Sequence, residues 1–263
     1  MSEIILYDII GMNDGVTAWS PNTWTVRFTL NYKNLKYKTR WLEFQDIEIA
    51  YKETNAKATS TRSDGSPYYT LPVLYDPATK TAIADALPIA DYLDRTYPNP
   101  RKVFPEDTRA LHAAFFTAMF SLLEMQMYRL IVLPGLVNAG PRAVDYYRWS
   151  KESLFGMTLE EITPTGGPLR EGLWKEIESG WKQVAGWFDA ASGGEIGERR
   201  KPFMGGEKPC YADFHIAARL ICVKAIWGPQ SEDWRRMSGL DGGRWANYLE
   251  QFHEYMHVDT QLR

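Results

Sequence analysis

Apolar positions fall in short runs and alternations through the first hundred residues and at helical spacing after them. Residues 4–10, Ile-Ile-Leu-Tyr-Asp-Ile-Ile, form an apolar run of strand length and predict a buried strand. From Ser20 to about Tyr32, Trp24, Phe28 and Tyr32 recur every fourth residue, the repeat of one helix face. Residues 36–44 alternate as a second strand, and residues 46–58 read as a helix. Residues 59–69 are polar and carry Asp64-Gly65-Ser66-Pro67, a turn signal. Residues 71–75 and 81–84 flank Asp76-Pro77-Ala78-Thr79-Lys80 as the arms of a hairpin. Residues 86–95 read as a short helix that stops near Pro98 and Pro100. The predicted order is βαβαββα.

After residue 106 the pattern changes to helical stripes such as Leu111, Phe115, Ala118 and Leu122. Glycine pairs at 166–167, 193–194, 205–206 and 242–243 punctuate the helices. The expectation is an α/β domain over 1–97, a linker over 98–105 rich in proline, and an all-α domain over 106–263. The 263 residues suffice for two such domains.

Composition narrows the function classes. Lysine and arginine number 30 against 33 aspartates and glutamates, a formal net charge of -3. That balance argues against a nucleic-acid surface, and no run of five like charges suggests a charged tail. Met1-Ser2-Glu3 opens without a basic and apolar leader pattern, and the apolar stretch 130–136 is too short to cross a bilayer. Cys210 and Cys222 are the only cysteines, which is no secreted disulfide framework. These features predict a soluble cytoplasmic protein without a membrane or nucleic-acid partner.

Ser20-Pro21 at a helix start has two meanings. Serine is a favoured N-cap, and proline suits the first helical position because its missing N–H had no partner there. The same place holds anions: a helix N-terminus lowers the pKa of a thiol, which is ordinarily about 8.5. At the other end of the chain, His253-Glu254-Tyr255-Met256-His257 matches the HExxH string of zinc peptidases. Zinc catalysis needs a third ligand, and only six residues follow His257, so the polar face of a last helix is the preferred reading. No metal site is expected.

Four motifs occur in register: Ser20-Pro21-Asn22-Thr23-Trp24 after the first strand, Leu71-Pro72-Val73-Leu74, Asp85-Ala86-Leu87-Pro88-Ile89-Ala90-Asp91-Tyr92, and residues 203–213, which end in Lys208-Pro209-Cys210-Tyr211-Ala212-Asp213. Together they resemble the glutathione transferase family, a thioredoxin-like α/β domain followed by a helical domain. The serine-proline-asparagine-x-tryptophan string, with Trp227-Gly228 and Asp241-Gly242-Gly243-Arg244-Trp245, resembles the FuA-type members of wood-decay fungi and the bacterial β-etherases.

The resemblance implies roles residue by residue. Ser20 would hold the glutathione thiolate, with Asn22 a second polar group in the same turn and Tyr7 and Thr17 as rival hydroxyls. Leu71 and a cis Pro72 would present backbone groups to the cysteinyl unit. Asp85 would pair with the γ-glutamyl ammonium, and the Ala86 amide with its carboxylate. The family usually has serine or threonine where Ala86 stands, and a lost neutral hydrogen bond costs about 0.5–1.5 kcal/mol. Gln45 and Lys52 are candidates for the glycine end. Phe116, Phe120, Tyr128 and Trp227 would line an apolar cleft for the second substrate, a reading that fits the 14% aromatic content. Cys210 replaces the family's capping hydroxyl, and Cys222 is expected in the core. The implied activity is attack of glutathione on hydrophobic aromatic electrophiles, with β-aryl ether cleavage or detoxification of wood-derived compounds as its sharper forms. A binder of plant polyphenols is the alternative, and a homodimer is expected.

Overall fold

The computed structural model describes residues 3–13, 16–62, 64–193 and 201–259; the side chains of residues 12, 13, 16 and 17, Thr17 included, and Gly194 lie outside what is described. The first half runs β1 (Ile4–Asn13), β2 (Val16–Ala18), α1 (Pro21–Tyr32), β3 (Tyr37–Leu42), a 3-10 turn at Phe44–Asp46, α2 (Ile47–Thr54), β4 (Ser60–Thr61), β5 (Pro67–Tyr68), β6 (Val73–Asp76), β7 (Thr81–Ala84) and α3 (Ala86–Thr96). Without β2, β4 and β5 this is the βαβαββα order read from the sequence. β2 extends the far end of β1, and β4–β5 is a two-residue ladder closed by the Asp64-Gly65-Ser66 turn, in a segment whose polarity alone suggested a loop. The second helix is shorter than residues 46–58, because Asn55 adopts a left-handed conformation at φ 56° and stops it.

β1 is the middle strand. It pairs in parallel with β3, Ile4 opposite Tyr37 through Ile9 opposite Leu42, and antiparallel with β6, Leu6 opposite Leu74; β7 completes the sheet beside β6. Its apolar run is continuous because both faces are covered. Ile4 and Leu6 pack with Val26 and Leu30 of α1 and Ile89 and Leu93 of α3, whereas Tyr7 packs with Ala50 and Tyr51 of α2. Asp8, the polar member of the run, faces α1 and meets Arg27 at 2.7 Å, with both side chains at most 1% exposed. Arg27 also donates to Tyr37 Oη and Thr39 Oγ1.

The second half comprises α4 (Arg109–Met119), a π-helical segment (Phe120–Glu124), α5 (Met125–Ile131), α6 (Leu136–Ala139), α7 (Val144–Phe155), α8 (Leu159–Ile162), α9 (Gly167–Ala191), α10 (Tyr211–Trp227) and α11 (Glu232–Glu250). α10 is its centre, with Phe214, Ile216, Ala217, Ala218 and Leu220 fully buried. The Trp24, Phe28 and Tyr32 stripe of α1 packs against this helical core rather than the sheet: Phe28 stacks on Phe214 at 6.0 Å, and Tyr32 lies 5.3 Å from it. α1 is thus amphipathic toward two apolar partners, one on each side.

The structure refines three sequence expectations. The buried face of the α4–α5 stretch includes His112, Met119, Leu123 and Met127; of the stripe read from the sequence, Phe115 and Leu122 pack against the core, while Leu111 is 68% exposed. α9 fixes that face at its middle, where Gly180 comes so close that a Cβ there would lie 2.6 Å from Leu123 and 2.8 Å from the Leu122 carbonyl, and the π turn re-aims only the residues after Glu124. The HExxH string is not on a helix: α11 ends at Glu250, and His253–Tyr255 is a 3-10 turn whose neighbouring carbonyls, Tyr255 and His257, accept from Asn31 Nδ2. The two histidines therefore lack the one-turn spacing that zinc ligation requires. Cys210 caps α10 in a capping box with Asp213, and its thiol also lies 3.1 Å from Asp213 Oδ2, to which it donates. Asp213 gathers the Met204, Gly205 and Cys210 amides and Tyr248 Oη as well, and burial first and that carboxylate second push the thiol well up. Gly205 is required in this turn, since a Cβ would sit 2.4 Å from the Lys208 carbonyl.

Among the described residues no helix is long and apolar enough to cross a membrane, and no group of three or more His, Cys, Asp or Glu side chains is arranged around a metal-sized space.

Candidate active site

A cavity of about 550 Å³ lies where the start of α1 meets the helical half. Ser20, Asn22 and Leu71 reach it from the first half, and Phe120 and Tyr128 from the second. These are five of the twelve site residues expected from the sequence.

Ser20 is the N-cap of α1, and Pro21 takes the first helical position. Ser20 Oγ accepts from the Thr23 amide at 3.4 Å and from Thr23 Oγ1 at 3.1 Å. Capping and anion binding are therefore compatible: the bonds Ser20 makes use its lone pairs, and among the described residues its own proton is given to no partner. Of the rival hydroxyls, Tyr7 donates to Glu53 at 3.2 Å on the α2 side of the sheet, and burial, then Glu53, pushes its pKa up to about 12. Neither feature suits a thiolate-stabilising donor facing this cavity.

Asn22 is oriented from below. Arg219 of α10 donates through Nη2 to Asn22 Oδ1 at 2.9 Å and through Nη1 to Thr25 Oγ1 at 3.2 Å. Arginine only donates, so this bond fixes which end of the amide is oxygen and leaves Asn22 Nδ2–H on the exposed side. Arg219 in turn is held by Glu124, 3.1 Å from its Nε and 3.2 Å from its Nη2, and Glu124 Oε1 lies 2.5 Å from His215 Nε2. Burial alone would raise the Glu124 pKa, but Arg219 and His215 outweigh it and hold the carboxyl down at about 2. Burial, helped by Arg219, lowers His215 to about 4, so the imidazole is neutral and donates its Nε2 proton to the carboxylate. Glu124 reaches this position from the π-helical segment, whose extra residue per turn rotates the residues after it by about 100° relative to a regular α-helix. No sequence motif singles out Glu124, His215 or Arg219, because the three are joined only through contacts 91 and 95 residues apart.

The Leu71–Pro72 peptide bond is cis, as the resemblance implied. The Leu71 N–H and C=O make no hydrogen bond to another described residue, which leaves a strand-like edge open to the cavity. Thr70 is anchored by Tyr51, whose hydroxyl donates to the Thr70 carbonyl at 2.7 Å, and the Pro72 carbonyl accepts from the Asp85 amide at 3.1 Å. That last bond ties the cis turn to the start of α3. Asp85 is exposed at φ 78°, ψ 143°, a backbone region costly for a side-chain-bearing residue and one that recurs at functional sites. Its Oδ1 accepts from the Ala86 amide at 2.6 Å, so the amide expected for a ligand carboxylate is occupied by the neighbouring carboxylate.

Four expected residues lie elsewhere. Gln45, in the 3-10 turn before α2, donates through Nε2 to Glu43, and Lys52 of α2 is an exposed surface residue 3.2 Å from Glu48; neither lines the cavity. Phe116 packs edge-on against His215, and Trp227 packs on Trp174 and donates to the Leu130 carbonyl in the helical core. The cavity wall is instead completed by Trp19, Phe44, Tyr68, Tyr147 and Lys151. For the last two a signal existed: Tyr147, Lys151 and Leu154 recur at helical spacing on one face of α7, and all three line the cavity. Cys222 of α10, 2% exposed, also borders the cavity, its pKa pushed up to about 12 by burial.

Residues 17–101 match the family model described as glutathione S-transferase, N-terminal domain, and residues 110–255 match glutathione S-transferase, C-terminal domain. A glutathione S-transferase-like protein, ustS, of Aspergillus flavus is 26% identical over 249 residues, 92% of this chain and 87% of that protein. The crystal structure of glutathione transferase GSTFuA3 from Phanerochaete chrysosporium superposes with a TM-score of 0.91 at 36% identity, covering 99% of this chain and 100% of that one. The glutathione S-transferase CsGST63524 of Ceriporiopsis subvermispora, solved in complex with glutathione, gives a TM-score of 0.90 at 40% identity over 98% of this chain and 99% of that one.

Proposed function

This chain belongs to the glutathione S-transferase family and is a glutathione transferase, and we propose from that premise that it is of the serine type. The observation that carries the reading is the meeting of Ser20 Oγ, the Asn22 amide and the open Leu71 backbone edge at the N-terminus of α1. Glutathione lies along Leu71 like a short added strand, pairing its cysteinyl unit with the free N–H and C=O. Its γ-glutamyl end meets Asp85 and the start of α3. The ligand ammonium draws the Asp85 carboxylate off the Ala86 amide, which then serves the ligand carboxylate. The sulfur rests between Ser20 Oγ–H and Asn22 Nδ2–H, donors that, with the helix terminus, favour the thiolate over the thiol. Gln45 and Lys52 have no part in this arrangement.

In the reaction, a thiolate lone pair forms a bond to an electrophilic carbon of a hydrophobic aromatic compound, and the leaving group departs with its bonding electrons. For a β-aryl ether the leaving group is a phenolate, which takes its proton from solvent. The aromatic wall of the cavity supports a flat second substrate. Sequestration of plant polyphenols is the second reading, favoured by one observation: the Ala86 amide is already occupied, which weakens the hold on glutathione. The proposal includes a cytoplasmic homodimer in which the first half of one subunit meets the second half of the other; the exposure of Leu111 and Phe116 on α4 is consistent with a covered face there.

A thermal melt with and without millimolar glutathione tests the reading. A ligand at a hundred times its dissociation constant adds about 2.7 kcal/mol of stability. The wild type is expected to shift upward and Asp85→Ala to lose most of the shift. Absence of a shift in the wild type would favour the polyphenol binder, and release of a phenol from a β-aryl ether model compound decides the sharper activity.

A further inference from the structure

Lys151 differs from the other cations around the cavity. Its ammonium lies 5.9 Å from the ring centroid of Phe44, 5.6 Å from that of Tyr128 and 5.4 Å from that of Tyr147. Among the described residues it makes no hydrogen bond and has no carboxylate within ion-pair distance, whereas Arg148, three residues before it, pairs with both Glu152 and Glu160. Aromatic faces return part of an ammonium's lost hydration, but they take none of its three protons as a carboxylate would. The acid that does face the cavity, Glu124, is bound to Arg219 and His215. The cavity therefore holds one positive charge that nothing in its wall neutralises, set among rings that suit a flat molecule.

We propose that the second ligand of this cavity is a flat aromatic carboxylate, whose oxygens accept from Lys151 Nζ while its ring lies among the aromatic side chains. The inference rests on the cavity being the seat of the second substrate and adds to that reading the charge of the molecule it selects. Burial supports it from another side: with no acid beside it, Lys151 is pulled down to about 8, and a bound anion is what restores the charged form.

Other titratable or charged groups face the same space. Tyr146 and Tyr147 lie on its own helix, and Glu124 and Tyr128 come from the π segment and α5. Tyr68 and Tyr69 enter from the β5 end, and Arg219 and Cys222 from α10. Beside Phe44, Glu43 and Asp46 are engaged by Arg142.

The test compares 2-naphthoate with its neutral methyl ester by equilibrium binding, with and without saturating glutathione, on wild type, Lys151→Met and Lys151→Arg. A hydrogen bond to a charged partner corresponds to about tenfold or more in affinity. The wild type is expected to prefer the acid by at least about that factor at pH 7. Lys151→Met should erase the preference with the glutathione-induced melt shift unchanged, and Lys151→Arg should retain it. Raising the pH to about 10 should abolish the preference in the wild type but not in Lys151→Arg, a readout that survives even a poorly folding Lys151→Met. Equal affinity for acid and ester in the wild type overturns the proposal. So does a preference that persists in Lys151→Met, or one that falls with pH equally in Lys151→Arg. Loss of the glutathione shift in Lys151→Met with the acid preference intact would instead assign Lys151 to a carboxylate of glutathione. Because the naphthoate arm is also run without glutathione, failure of glutathione binding alone would count against the transferase reading and not against Lys151.

Discussion

Glu124 is the joint of the network beneath the Ser20–Asn22 turn, and its replacement by glutamine tests that role quantitatively. The carboxyl is 17% exposed, and its partners lower its pKa from 4.5 to about 2. That lowering corresponds to about 3 kcal/mol of stability, present above the unfolded-state pKa and lost as the pH falls through the folded-state value. Glu124→Gln removes the charge that compensates buried Arg219, so urea unfolding at pH 7 should show it about 3 kcal/mol less stable than wild type. The gap should narrow between pH 4.5 and 2, where the unfolded wild-type chain binds a proton that the folded carboxyl still refuses. His215 acts in a neighbouring window: folded at about 4 and ordinarily 6.5, it takes its proton first in the unfolded chain, so stability also falls as pH drops from 6.5 to 4. A gap below about 1 kcal/mol at pH 7, or one of the same size at pH 3, would refute the reasoning.

Two other buried polar pairs make comparable predictions. Asp8→Ala leaves Arg27 charged and unpaired between α1 and the sheet, and should cost about 3–5 kcal/mol in denaturant unfolding. Cys210→Ala removes a donor from buried Asp213 and should cost about 1–3 kcal/mol, whereas Cys210→Ser keeps a donor there and should unfold close to wild type.

The first half was legible because each of its elements answers to a local rule. The run of β1 is apolar on both faces, Trp24, Phe28 and Tyr32 recur at helical spacing, and Ser20-Pro21 starts α1. What the sequence did not show was which partner each face meets. The α1 stripe belongs to the helical half, and nothing local distinguishes that from packing on the sheet. Glu124 was missed because a π turn is invisible to a fixed 3.6-residue period, whereas Leu111 lies before that turn, on the exposed side of α4. Within the site, Ser20, Asn22 and Leu71 were readable from short motifs at chain turns. The Arg219–Glu124–His215 network was not, because each member is an ordinary polar residue until α10 and the π segment are brought together. The aromatic lining fared unevenly for the same reason: Phe120 and Tyr128 face the cavity, but Phe116 and Trp227 share their composition without sharing their direction.

The measurement that bears most directly on the central claim is the ionisation of enzyme-bound glutathione, read from its ultraviolet thiolate absorbance as the pH is raised, in wild type and Ser20→Ala. A free cysteine thiol has a pKa of about 8.5, and thiols at helix N-termini fall to about 3.5–7.5. The wild type is expected to ionise bound glutathione within the lowered range, and Ser20→Ala to move the titration back toward the free value. Identical titrations in the two proteins would contradict a thiolate held by Ser20.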